Sequence, residues 1–200
     1  MGSRHGGNLS VIRRDVQWKR LLARRARRVQ SGPRMKVMET ERLILRWLTL
    51  ADAPFLLELM NDPAFIRNVA DRGLRTPDDA ARYMTEKMFP SYEQHGFGMN
   101  VVELKSTGAA IGTCGLFKRE TMEHVDIGYA FLRAFWGQGF AYEAAAAVIA
   151  HGRDVLRIPK IVGMTAPANE SSIKLLQKLG LRFERMIQMD GYEGESKLFA

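Results

Sequence analysis

The run Val125-Asp126-Ile127-Gly128-Tyr129-Ala130-Phe131, the loop Trp136-Gly137-Gln138-Gly139-Phe140-Ala141 and the tract Ala144-Ala145-Ala146-Ala147 decide the fold. Alternating apolar residues mark a strand, the paired glycines a tight turn, and the alanines a helix. Glycine lets the chain turn sharply and approach a ligand closely. The first N–H groups of the helix lack intrahelical partners and point at whatever anion lies there. The segment reads as an anion cradle, and a pyrophosphate suits it.

Two common phosphate loops do not fit. A dinucleotide fingerprint counted from Gly137 reaches Tyr142 where Gly or Ala is required, and no Lys follows Gly139 until Lys160, which excludes a nucleoside-triphosphate loop. The stretch from Ile127 to Ala144 instead resembles the acetyl-CoA loop of the GNAT superfamily of N-acetyltransferases, closest to the branch that acetylates the N-termini of ribosomal proteins. Two further blocks resemble the same family. One is Thr165-Ala166-Pro167-Ala168-Asn169-Glu170-Ser171-Ser172 with the helix after it, and the other is Glu39-Thr40-Glu41-Arg42-Leu43-Ile44-Leu45-Arg46. The resemblance spans about residues 38–200 and implies a single α/β domain, a mixed and strongly twisted central sheet flanked by helices. It also implies acetyl-CoA as co-substrate, held by Phe131, Leu132, Trp136, Gly137, Gln138, Gly139, Phe140 and Ala141, with Asn169 and Ser172 beside the pantetheine arm.

Composition read independently allows the same answer. Of 200 residues, 46% are hydrophobic and 26% charged, ordinary for one soluble domain with a core. No apolar run approaches the roughly 18 residues of a membrane span. Cys114 stands alone, which suits a reducing cytoplasm, and the four histidines are scattered without metal-ligand spacing, so no metal is expected. The net charge of +8 is unevenly placed: residues 1–34 hold ten of the 30 basic residues and one of the 22 acidic ones. Residues 35–200 therefore balance at about neutrality, and no nucleic acid is expected on the folded domain. The basic segment 1–34 is expected to be disordered and has three readings: an extension ahead of a start at Met35 or Met38, a targeting peptide, or an arm for RNA or anionic lipid.

The expected elements follow from punctuation. Strands are read at about 42–47, 98–103, 110–117, 123–132 and 160–164, with a closing pair at 183–189 and 195–199. Helices are read at about 51–60, from Thr76-Pro77 onward, from the cradle to 156, and at 170–179 before Gly180. The stretch 63–73 reads as a loop.

On the strand at 123–132, His124, Asp126, Gly128 and Ala130 share one face and Val125, Ile127, Tyr129 and Phe131 the other. The resemblance implies that thioester and amine meet beside this strand; acyl transfer needs a neutral amine, so a carboxylate or imidazole is the expected base, with Asp126 ahead of His124, while backbone N–H groups near Phe131 polarise the thioester. Many relatives carry a Tyr seven residues after the motif Asn to protonate the thiolate; here that position is Leu176, which leaves Ser172 or solvent. Many also carry Arg or Gln where this chain has Trp136.

The function expected is transfer of an acetyl group from acetyl-CoA to a primary amine, foremost a protein N-terminal α-amine, by a monomer or homodimer. An α-amine of pKa near 7.7–8.0 is neutral about 300 times more often at pH 7 than a lysine near 10.4, which suits a site lacking a strong base. The alternatives are a small-molecule acceptor, such as a polyamine, antibiotic or amino acid, and an acyl-CoA-binding domain without turnover.

Overall fold

The computed structural model describes residues 35–188 and 194–200. The expectations for 1–34 and for the end, at 189, of the strand read at 183–189 lie outside the described residues. Eight strands are described: β1 (Lys36–Glu39), β2 (Leu43–Trp47), β3 (Met99–Leu104), β4 (Ala110–Phe117), β5 (Val125–Phe131), β6 (Ile161–Thr165), β7 (Phe183–Gln188) and β8 (Glu195–Phe199). They form one sheet in the order β1-β2-β3-β4-β5-β6-β8-β7, antiparallel throughout except for the parallel pair β5 and β6. The described helices are α1 (Ala53–Met60), α2 (Pro63–Asn68), α3 (Pro77–Tyr83), α4 (Phe89–His95), α5 (Phe140–Asp154) and α6 (Glu170–Lys178). The expected mixed sheet flanked by helices is the observed one.

Two elements depart from the reading of the sequence. Residues Pro63–Asn68, expected as loop, form α2, because Asp62 accepts a hydrogen bond from the Ala64 N–H at 2.7 Å and Pro63 opens the helix. An Asp-Pro pair ends one helix and starts the next equally well. Strand β1 precedes the expected first strand and pairs with β2. The helix begun by Thr76-Pro77 continues through a wide turn, Met84–Met88, into α4. Pro90 lies just beyond that turn and lacks the N–H an α-helical ladder needs, and a wide turn is one way a helix absorbs that loss.

Two apolar layers sandwich the sheet. Phe140, Ala144, Ala145 and Val148 of α5 and Leu176 of α6 pack on one face, over Val102, Ile111, Cys114, Ile127 and Phe131. The helices of residues 53–95 cover the other face over β2, β3 and β4, where Tyr92 is fully buried and stacks on Trp47 at 4.5 Å. Farther along that second face, on β6 and β8, the apolar cover shrinks to a small cluster of Met122, Val162 and Leu198.

Under the first helices lies a buried charge cluster. Arg46 pairs with both oxygens of Asp52 at 2.7 and 2.8 Å and with Glu103 at 2.8 Å, and Thr49 donates its N–H and hydroxyl to Asp52. Burial pushes the Asp52 carboxyl up, but Arg46 and Thr49 outweigh it and hold it below its ordinary value. Removing one member of such a cluster leaves buried charge uncompensated, so Arg46→Leu is expected to lower the unfolding free energy by about 3–5 kcal/mol in urea titrations. Because the folded-state pKa of Asp52 is depressed, its contribution is complete above the ordinary carboxylate pKa of about 4 and is lost as pH falls through the folded value. The unmodified protein should therefore lose more stability on acidification below about pH 4 than Asp52→Asn does.

Candidate active site

The glycine loop has the form the sequence implies. Gly137 and Gly139 take φ of 73° and 83°, the left-handed region that an L side chain enters only with strain. A Cβ on Gly137 would meet nothing within 4 Å, and one on Gly139 only Nη2 of Arg42, at 3.4 Å. The outer side of the loop is thus open, and conformation rather than crowding restricts both positions to glycine. No side chain caps α5, so its first-turn N–H groups remain directed at the loop. These features fit a diphosphate. The loop is braced from behind: Gln138 donates its side-chain amide to the Ala134 carbonyl at 2.9 Å, and Arg42 donates Nη1 to the Gln138 carbonyl at 3.0 Å.

Next to the loop the sheet opens. Strands β5 and β6 are in register from Val125 opposite Ile161 to Ile127 opposite Gly163, and the pairing ends there. From Gly163 onward β6 pairs with β8 on its other edge. The rest of β5 faces a gap. Leu132 N–H bonds the Ile111 carbonyl, and Phe131 lies opposite Gly112, so the N–H and C=O of Phe131 itself point away from β4 and into that gap. Its carbonyl accepts the Trp136 indole N–H at 2.6 Å, and its N–H is directed into the gap.

The far wall of the gap is the start of α6. Asn169 caps this helix, accepting from the Ser172 N–H at 3.2 Å and the Ser171 hydroxyl at 2.8 Å. The Ser172 hydroxyl lies 2.9 Å from that of Tyr129, so the tyrosine bridges the gap from β5. Burial pushes the Tyr129 phenol far up, and it keeps its proton. Tyr129 does share the apolar face of β5, as alternation predicts, but its hydroxyl makes it a functional candidate that the face pattern alone does not reveal. The available signal was chemical: a tyrosine on a core face must find a partner for its O–H. Leu176 is core, packed so closely that a Cβ on Gly163 would lie 2.4 Å from it.

The expected bases are not gathered with these groups. Asp126 is buried, with both carboxylate oxygens on Arg119 at 3.0 and 3.3 Å. Burial pushes its carboxyl up while Arg119 pulls it down, and burial prevails. His124 precedes β5 and stands 4.0 Å from Glu123. At about 3.3 Å of rise per residue, Asp126 lies about 10 Å and His124 about 16 Å along the chain from Tyr129, whereas a base acts within about 3 Å or through one water. Cys114 is buried in β4, and burial pushes its thiol up, as for a packed strand residue. Among the described residues no three His, Cys, Asp or Glu side chains group as a metal site, and no helix is long and apolar enough to cross a membrane.

The family model of the acetyltransferase (GNAT) domain matches residues 42–182. The chain belongs to this GNAT family. It is an N-acetyltransferase, and proteins of the family use acetyl-CoA and an acceptor. It is similar to the uncharacterized N-acetyltransferase p20 of Bacillus licheniformis, with 33% identity over 157 residues, 77% of this chain and 86% of that protein. Its fold is similar to that of RimL, a ribosomal-protein α-N-acetyltransferase solved with coenzyme A, at a TM-score of 0.69, 16% identity, and coverage of 82% of this chain and 96% of that one. It is also similar to a Vibrio cholerae spermidine N-acetyltransferase chimera, at a TM-score of 0.64, 18% identity, and coverage of 78% and 93%.

The loop geometry generates a direct test. Gly139→Val places a β-branched residue at φ 83°, a strain on the order of 1–3 kcal/mol that the loop relieves only by moving. Calorimetry should show coenzyme A binding weakened by about tenfold or more, since about 1.4 kcal/mol is a factor of ten, in a protein that keeps its far-ultraviolet circular dichroism.

Proposed function

We propose that this enzyme transfers the acetyl group of acetyl-CoA to a primary amine, foremost the α-amine of a protein N-terminus. The observation that carries the reading is the gap between β5 and β6, which runs from the open glycine loop to the hydrogen-bonded hydroxyls of Ser172 and Tyr129. The loop Trp136–Ala141 with the first turn of α5 would hold the diphosphate, and Phe131, Leu132, Asn169 and Ser172 would flank the pantetheine arm. Bound acetyl-CoA supplies an acyl carbon activated by its thioester.

The remaining work falls to the chain. The Phe131 N–H polarises the thioester carbonyl as the amine nitrogen forms its bond to carbon. Ser172 gives its Oγ proton to the sulfur released when the C–S bond breaks, with Tyr129 hydrogen-bonded behind it at 2.9 Å, and water, which receives the proton the amine loses, returns one to the hydroxyl pair. The nitrogen must lose one proton. Asp126 is committed to Arg119 and His124 lies before the start of β5, so the site takes up the amine already neutral and passes its proton to water. That favours an α-amine, of which a substantial fraction is neutral near pH 7, over a lysine or polyamine amine of pKa near 10. The acceptor of RimL, a ribosomal-protein α-amine, is of the same class.

Steady-state assays with labelled acetyl-CoA should find kcat/KM highest for peptides with free N-termini, lower for N-blocked peptides that present only lysine, and lowest for spermidine. Preference for spermidine overturns the acceptor assignment. Ser172→Ala should lower the chemical step by about 10²–10⁴, the range of general acid catalysis, and leave coenzyme A affinity within twofold.

The pH dependence separates the two accounts of the proton. For a peptide acceptor, kcat/KM should rise with pH and level off near the α-amine pKa of about 8, and Asp126→Asn should run parallel to the unmodified enzyme. A deficit in Asp126→Asn that is deep at pH 6.5 and closes by pH 9 would make Asp126 the base after all.

A further inference from the structure

The loop Trp136–Ala141 contains no cationic residue, yet a cation reaches it from the opposite end of the sequence. Arg42, just before β2, donates Nε to Glu143 at 2.7 Å and Nη1 to the Gln138 carbonyl at 3.0 Å, and its guanidinium lies 4.4 Å over the Phe140 ring. Three constraints therefore fix the fork. Its remaining nitrogen, Nη2, has no acceptor among the described residues and lies 3.4 Å from where a Gly139 Cβ would be, at the mouth of the cradle. The side chain is 44% exposed.

Glu143 sharpens the point. A carboxylate in the first turn of α5 opposes any anion bound at that helix end. It is tied down by the Thr40 hydroxyl, the Arg42 N–H and the Arg42 side chain. Although burial pushes its pKa up, these hydrogen bonds hold it below the ordinary value, so it stays ionised. The Arg42 charge thus offsets the one side chain that would repel a diphosphate, while its Nη2 edge still has two N–H donors to give. A guanidinium so fixed loses little conformational entropy on binding phosphate oxygens.

We propose that Arg42 is a direct ligand of the diphosphate of coenzyme A, its Nη2 edge binding phosphate oxygen while its other edges lock the loop to Glu143. This rests on the reading of the glycine loop as the coenzyme A cradle.

Calorimetry on the full chain tests it with coenzyme A, pantetheine and inorganic pyrophosphate against the unmodified protein, Arg42→Ala and the double variant Arg42→Ala/Glu143→Ala. Both variants should bind coenzyme A and pyrophosphate about 10–100-fold more weakly, the range for hydrogen bonds to a charged group, with pantetheine affinity unchanged. The coenzyme A deficit should shrink as salt is raised to about 1 M. Recovery of full affinity in the double variant would overturn the proposal, because Arg42 then serves only to neutralise Glu143. An equal loss for pantetheine would also overturn it, showing general collapse of the loop. If the alanine variants do not fold, Arg42→Lys keeps the charge but cannot reach in all three directions, and unimpaired coenzyme A binding by it counts against a direct ligand. An unmodified protein that binds coenzyme A no better than pantetheine rejects the cradle reading itself, a result distinct from any of these.

Discussion

Strands β5 and β6 run together for three residue pairs and then part, and the whole candidate site is built on that parting. Parallel strands normally satisfy each other's backbone along their full length. Here β6 turns its remaining pairing toward β8, which leaves the second half of β5 with backbone groups facing a gap. Such groups must find partners. The Trp136 indole meets the Phe131 carbonyl, and the Tyr129 and Ser172 hydroxyls meet each other across the space. The gap is therefore furnished with directed donors, which is the arrangement acyl transfer uses.

The charges near this gap are almost all committed to one another. Arg42 with Glu143, Arg119 with Asp126, and Arg133 with Asp62 at 3.3 Å each join an element beside the site to another part of the chain. The first pair ties the helix bearing the cradle to the lead-in of β2. The second sits on the face of β5 opposite Tyr129. The third connects the turn after β5 to the start of α2. Paired charges brace the walls without leaving a lone buried ion, whose desolvation would be unfavourable. The same commitment is the reason the proposed mechanism draws on hydroxyls and a backbone N–H rather than on a carboxylate.

Local chemistry made much of the fold legible. Strand β4 has the bounds that its apolar run suggests, Thr76-Pro77 starts a helix with a reciprocal cap from Asp79, and Gly180 follows the end of α6 with φ of 87°. Each of these is decided by residues within a few positions of one another. Strand β1 was not legible because four residues of modest hydrophobicity become a strand only when β2 offers an edge. Helix α2 was missed because Asp62-Pro63 carries the signals of a helix end and of a helix start together.

The candidate site divides along the same line. The glycine loop, the Asn169 cap and Ser172 stand in short contiguous motifs, because binding an anion with backbone N–H groups is a local matter of turn and helix start. Arg42, Tyr129 and Arg119 gain their roles from contacts with residues 101, 43 and 7 positions away. Nothing in their own neighbourhoods in the chain signals these partners. The sequence by itself determined the glycine loop and the sheet that carries it, since those follow from periodicity and backbone conformation, and the resemblance of its motif blocks pointed to the family. Only the tertiary structure decided which side chains meet in the gap, that Asp126 is bound to Arg119, and that the cation at the cradle comes from residue 42. Long-range pairing depends on how the strands are ordered and where β5 and β6 separate, and no local pattern encodes either.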